Sequence, residues 1–193
     1  MILPWRDQAP IASRPDLLVW TSLTEREQVT LRNLAADRRC IEIGAAFGFS
    51  TLLLASVAET VYSVDPHCVP SGMVSFGFRH VADVERYKAG TLATMQQNLS
   101  LTGLVGRVTI VQGYSQTVLA GGMPFVPDFA FIDGDHARDA CYADLRNCER
   151  LMQDGGVICV HDYDEDSCSG VREAVDMWGG QREVIDSMAV IRL

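Results

Sequence analysis

Apolar residues along this chain fall into two alternating patterns. Short apolar runs, Cys40–Ile43, Thr60–Val64, Val108–Val111, Asp128–Ile132 and Val157–Val160, have the length of buried strands. Between them, apolar positions recur at helical spacing. Thr24 followed by Glu27 is a capping-box pattern, and Val29, Leu31, Leu34 and Ala35 predict a partly apolar helix after it. Further helices are predicted over Ser50–Ala58, from about Val84 to Leu101, over Ala137–Met152 and near Val171–Trp178. In the fourth of these five, Cys141, Leu145, Cys148 and Met152 share one face, and Gly155 is expected as its C-cap. Glu183–Ile185 and Met188–Ile191 read as two last strands around Asp186-Ser187. The first 23 residues are irregular, broken by Pro4, Pro10 and Pro15, and residues 66–84 form a long connection containing Pro66, Pro70, Gly72 and Gly77.

Strands alternating with helices predict an α/β protein, a parallel sheet covered on both faces. Such sheets bind ligands at the carboxyl ends of their strands. Five of those ends carry polar residues directly after an apolar run: Glu42-Ile43-Gly44, Val64-Asp65, Gln112-Gly113-Tyr114-Ser115, Ile132-Asp133-Gly134-Asp135-His136 and Val160-His161-Asp162-Tyr163. Helix caps and turns explain one or two such ends; five together point to a ligand site.

The first of them opens a glycine loop, Gly44-Ala45-Ala46-Phe47-Gly48, that leads into a helix at Ser50. Glycines allow the tight turn, and a helix start offers unpaired N–H groups. The loop is not the dinucleotide fingerprint, because Ala46 stands where the second glycine lets a pyrophosphate approach the backbone. A nucleoside donor without phosphate is less affected by that loss. Asp65, at the end of the next strand, is placed to take ribose hydroxyls.

Together these segments resemble the class I S-adenosylmethionine-dependent methyltransferases, and more narrowly the small-molecule O-methyltransferases of the catechol and macrocin types. The resemblance runs over roughly residues 38–165 and rests on E-I-G-x-x-x-G-x-S at 42–50, Asp65, Gly113-Tyr114-Ser115-Gln116, and F-I-D-G-D-H at 131–136 followed by H-D-Y at 161–163. It implies a Rossmann-like, doubly wound sheet of seven strands in a three-layer α/β/α arrangement, mostly parallel with an antiparallel last strand at Met188–Ile191. It also implies that Glu42, Gly44, Ala45, Gly48, Ser50, Asp65, Pro66, Ser115, Gln116 and Asp133 hold S-adenosylmethionine and its loop. In metal-using relatives the metal positions fall on Asp133, His161 and Asp162. His161 departs from the usual acid there, and imidazole suits Mn²⁺, Fe²⁺ or Zn²⁺ better than Mg²⁺. Metal use is therefore open: Asp133 can equally contact the donor or a backbone N–H, with His161 hydrogen-bonded beside it.

Methyl transfer to a hydroxyl needs alignment and removal of the acceptor's proton. Asp135 and His136 compete for the role of base; the ordinary imidazole pKa favours His136, which can alternatively stack on adenine. His67 and His80 lie in or beside the 66–84 connection, whose Met73, Phe76 and Phe78 can wall an acceptor or pack against a helix or second subunit. The rival readings are a hydroxylase-like reaction on the same scaffold, a donor-binding protein without catalysis, and a nicotinamide dehydrogenase.

Composition narrows the class further. The length, 193 residues, suits one domain, with residues 1–36 as an N-terminal segment and helix. A formal charge of −9 argues against a nucleic-acid partner. The longest uncharged run, Val108–Pro127, contains three glycines and two prolines and does not read as a membrane span, and no signal peptide is evident. Cys40, Cys141, Cys148 and Cys159 read as small buried hydrophobes; with no C-x-x-C pair, the expected compartment is the reducing cytoplasm. A small-molecule acceptor is the expected partner. The apolar Ile2, Leu3 and Trp5 offer a surface for a homodimer.

Overall fold

The computed structural model describes residues 14, 16–17, 19–68 and 90–193. Its elements run α1 (Glu25–Ala35), β1 (Arg39–Ile43), α2 (Phe49–Ala55), β2 (Thr60–Asp65), α3 (Thr91–Thr102), β3 (Val108–Gln112), α4 (Ser115–Ala120), β4 (Phe129–Ile132), α5 (Arg138–Leu151), β5 (Val157–Val160), α6 (Ser169–Trp178), β6 (Arg182–Ile185) and β7 (Met188–Arg192). Seven strands form one sheet in the order β3-β2-β1-β4-β5-β7-β6. The pairs joining β3, β2, β1, β4 and β5 are parallel, and β7 runs antiparallel to both β5 and β6. The order reverses between β1 and β4, which makes the carboxyl ends of those two strands the place where a crevice opens.

Both faces of the sheet are buried. Cys40, Val61, Phe129, Phe131, Cys159 and Val190 pack with Leu31 of α1 and Leu53 and Leu54 of α2. Their sequence neighbours Ile41, Ala130, Ile132, Ile158 and Ile191 pack on the other face, with Leu119 of α4, Leu145 of α5 and Val175 of α6. Successive strand side chains point to opposite faces, so two buried faces require uninterrupted apolar runs in the sequence.

The capping box at α1 forms as its pattern predicts: the Thr24 hydroxyl accepts the Glu27 N–H, and the Glu27 carboxylate accepts the Thr24 N–H. The turn Asp186-Ser187 joins β6 to β7, as expected. Three readings change. Gly155 does not cap α5: the helix ends at Leu151, Met152 is the capping residue, and the Gly155 N–H bonds to the Leu193 carbonyl beside β7. Helix α4 is an addition to the predicted elements, its six residues carrying no apolar period. The helix expected from about Val84 starts instead at Thr91 as α3, because Gly90, at φ +86°, breaks the helical backbone and stands as its N-cap; residues 69–89, with Met73, Phe76, Phe78 and His80, lie outside the described part. The apolar N-terminal patch of Ile2, Leu3 and Trp5 lies outside it too.

Candidate active site

Strand register brings Ile43, Val64, Ile132 and Val160 level, so the residues that follow them, Gly44, Asp65, Asp133 and His161, share one rim of the sheet. At Gly44 the backbone turns with φ of +89°, and a side-chain carbon there would lie 2.0 Å from the Asp133 carbonyl oxygen. Only glycine permits that contact. Gly48, at φ +88°, similarly lies against Met95 of α3. Ala46, where a dinucleotide loop has glycine, holds φ of +45° despite its side chain. The Asp65 carboxylate steadies this turn: Oδ2 accepts the Ala45 and Ala46 N–H groups at 2.8 and 2.9 Å, and Oδ1 accepts the His67 N–H at 2.5 Å. The Asn98 amide donates to the Phe47 carbonyl, a support that sequence spacing did not reveal.

Glu42 lies beneath the loop and is completely buried. Its Oε2 accepts the hydroxyls of Thr51 at 2.5 Å and Ser63 at 2.6 Å, while Oε1 has no partner. Burial pushes its carboxyl up to about 7 against the opposing pull of the Ser50, Ser63 and Thr51 hydroxyls. Glu42 and Ser50 therefore anchor the loop from below. After β3, Ser115 and Gln116 of α4 both donate to Oδ1 of Asp144, at 2.6 and 3.2 Å. Asp144 is a buried carboxylate of α5 that the sequence did not single out, and burial raises it to about 6. The Pro66 carbonyl accepts from the Gln112 amide.

The second half of the site is ionic. His161 Nδ1 faces Asp162 Oδ1 at 3.2 Å and Asp133 Oδ1 at 3.5 Å. Its Nε2 faces Glu27 Oε2 of α1 at 3.5 Å and the Ser187 hydroxyl at 3.4 Å. Burial would lower the His161 pKa, but Asp133, Asp162 and Glu27 overcome it and push the ring up to about 12. Burial likewise opposes ionisation of Asp133, yet His136 and His161 hold its carboxyl well below the usual range. Asp162 reaches the cluster from a left-handed backbone, φ +58°. His136 is half exposed, with Nε2 at 3.3 Å from Asp162 Oδ2 and Nδ1 at 3.2 Å from Cys168 Sγ. Asp133 first, and Asp162 with it, raise its pKa against the effect of burial.

Asp133, His161 and Asp162 each offer one ligand atom within 4.8 Å of the others, a mixed oxygen and nitrogen set suited to Mn²⁺. His161 Nδ1 is buried without a hydrogen-bond partner and is aimed at both carboxylates. The residues present therefore fit a divalent ion. Asp135 stands apart: its Oδ1 accepts the Ala137 N–H at the start of α5, and it has no part in the group formed by Asp133, His161 and Asp162. His67 is also removed from the cluster, with Nδ1 at 3.0 Å from the Thr91 hydroxyl.

A glycine loop over one strand end and an acid–imidazole cluster over the switch point agree with the comparisons. Residues 41–163 match the family model described as "Methyltransferase domain". The chain belongs to this methyltransferase family. Its architecture is that of the class I S-adenosylmethionine-dependent enzymes. It is similar to cofactor-bound Rv0187 from MTB, at 21% identity and a TM-score of 0.66 over 90% of this chain and 82% of that one. The O-methyltransferase NovP matches with a TM-score of 0.69 at 16% identity, covering 89% of this chain and 81% of its own. An O-methyltransferase from Bacillus cereus in complex with SAH gives 0.60 at 15%, covering 91% and 84%. In this methyltransferase no helix among the described residues is long and apolar enough to cross a membrane. Glu27 and Ser187 lie outside the family-matched stretch, and the sequence pattern marks Glu27 only as part of a helix cap.

Proposed function

We propose that this enzyme transfers the methyl group of S-adenosylmethionine to a hydroxyl of a small molecule, with a divalent ion held by Asp133, His161 and Asp162. The observation that carries the proposal is the contact of Gly44 with the Asp133 backbone, which sets the donor loop directly against the acid–imidazole cluster. The family supplies the methyl-transfer chemistry, and the O-methyltransferase structures named above support oxygen as the accepting atom.

Gly44, Ala45 and Gly48 shape the donor loop, Asp65 orients it and takes ribose hydroxyls, and Ser115 and Gln116, fixed by Asp144, border the adenine. A bound divalent ion supplies Lewis acidity that lowers the pKa of an acceptor hydroxyl. His136 takes the acceptor's proton; Asp133 and Asp162 stabilise the imidazolium so formed. The oxygen–methyl bond forms as the sulfur–methyl bond breaks, leaving S-adenosylhomocysteine. His136 is preferred to Asp135 because it alone of the two meets the cluster. Six free cysteines, four of them buried, support a reducing cytoplasmic location.

Calorimetric titration with S-adenosylmethionine, S-adenosylhomocysteine and NAD, each with and without Mn²⁺, tests the donor and metal assignments. Binding of the two sulfur ligands that is lost in Asp65→Ala supports the donor site; binding of NAD alone refutes it. On an acceptor panel, His136→Ala should lower turnover strongly, by about 10²-fold or more, and leave donor affinity nearly unchanged. Activity within a few-fold of wild type would remove His136 as the base.

A further inference from the structure

We infer that Glu27, from the N-terminal helix, is a positioning residue that fixes the ring of His161 so that Nδ1 faces the metal. The inference rests on the proposed metal role of Asp133, His161 and Asp162, and it extends that site to a helix outside the family-matched stretch.

The argument is a count of donors and acceptors around His161 Nε2. One neighbour is the Glu27 carboxylate, which only accepts. The other is the Ser187 hydroxyl, whose single proton is given to Glu27 Oε1 at 2.9 Å, so its oxygen faces the ring as an acceptor. Two acceptors require Nε2 to carry the proton. With Nε2–H held by Glu27 and Ser187, Nδ1 is the nitrogen left for a metal, which would displace the Nδ1 proton that the ring carries without it, and Nδ1 already points at Asp133 and Asp162. A ligating histidine commonly gives its other N–H to a carboxylate in this way.

The support is rigid as well as correctly polarised. Glu27 also accepts the Thr24 N–H and the Ser187 N–H, so its carboxylate cannot rotate freely. The Ser187 carbonyl accepts the N–H groups of Tyr163 and Asp164, at 2.7 and 3.2 Å, directly after Asp162. Helix α1, the β6–β7 turn and the segment carrying two of the ligands are thus tied at one point. A separate clamp lies further out, where Asp186 accepts from the Thr24 hydroxyl and Arg26. It stabilises the same helix without touching His161, which provides a control.

The test is Mn²⁺ titration of the full chain, followed by pulsed electron paramagnetic resonance of the bound ion, in wild type, Glu27→Gln, Ser187→Ala and Asp186→Asn. Far-ultraviolet circular dichroism and S-adenosylhomocysteine affinity report whether the fold and donor site survive. We expect wild type to bind Mn²⁺ with a nitrogen coupling. Glu27→Gln should weaken binding about 10–100-fold and diminish that coupling, the size of effect usual for such supporting groups. Ser187→Ala should act in the same direction less strongly, and Asp186→Asn should bind as wild type does. If Glu27→Gln does not fold, Ser187→Ala decides. Wild-type binding with nitrogen coupling, unchanged in Glu27→Gln and Ser187→Ala, would overturn the inference and leave the metal reading standing. Equal weakening by Asp186→Asn would reduce Glu27 to a docking contact and overturn it too. No Mn²⁺ binding by wild type would refute the metal reading and the inference with it.

Discussion

Glu27 and Glu42 are both completely buried glutamates, yet one is held down to about 2 and the other pushed up to about 7. Burial drives both upward; their partners differ. Around Glu42 stand neutral hydroxyls, with the negative Asp65 nearby, so the loss of hydration is only partly offset. Around Glu27 stand the imidazolium of His161 and the N–H and hydroxyl groups of Thr24 and Ser187, which outweigh burial. The donor-loop half of the site is therefore assembled from backbone shape and hydroxyls, and the other half from opposed charges. The same side chain, equally buried, serves as an electrically weak prop in one and as the base of an ion-pair network in the other.

Removing the cation should expose this difference most strongly. In His161→Ala, Glu27 loses its imidazolium partner and Asp133 and Asp162 are left with the half-exposed His136, and we expect a loss of about 3–5 kcal/mol, measured by urea unfolding at neutral pH. A loss below about 1 kcal/mol would mean that the three carboxylates simply take up protons or water. The converse change, Glu42→Gln, should stabilise the protein. Glu42 ionises more readily unfolded than folded, so its penalty is absent below about 4.5, grows as pH rises to about 7 and is full above that. The gain should reach about 3 kcal/mol at pH 8 and vanish near pH 4. A pH-independent effect would show that Glu42 ionises freely.

The acid limb should run the other way. Glu27, depressed to about 2, contributes stability above its unfolded value of 4.5 that is lost as pH falls from there toward 2. Glu27→Gln should flatten the urea-midpoint profile over that range relative to wild type. The smallest effect is expected from Ser63→Ala: it removes one hydroxyl from Glu42 Oε2, costs about 1 kcal/mol, and pushes Glu42 further up.

The same contrast decides what could be read from the sequence. The strands and the glycine loop were legible because their causes are local. Apolar runs, Gly44, Gly48 and Asp65 each carry a requirement visible in a few neighbouring residues. Asp133, His161 and Asp162 could be nominated by their place after strands, and the fold brings their ligand atoms together. Glu27 and Ser187 are far apart in sequence, and their meeting at His161 depends on β7 lying between β5 and β6. Thr24–Glu27 announced a helix start, and it is one, but the same carboxylate supports His161 as well. Asp144 was hidden differently: on α5 it looked like an ordinary polar position until Ser115 and Gln116 were seen to end on it. Helix α4 is too short for any period to show.

The place of β7 also has a consequence in time. During synthesis β5 emerges before β6 and β7, but its next neighbour in the sheet is β7, and β6 pairs with β7 alone. At about 5–20 residues per second, the outer edge of β5 waits a few seconds for its partner. That edge is the apolar run Val157–Val160, a ready template for another unfinished chain. High expression at elevated temperature should therefore favour aggregates formed before the chain is complete, and slower translation or chaperone cover over that interval should recover soluble enzyme.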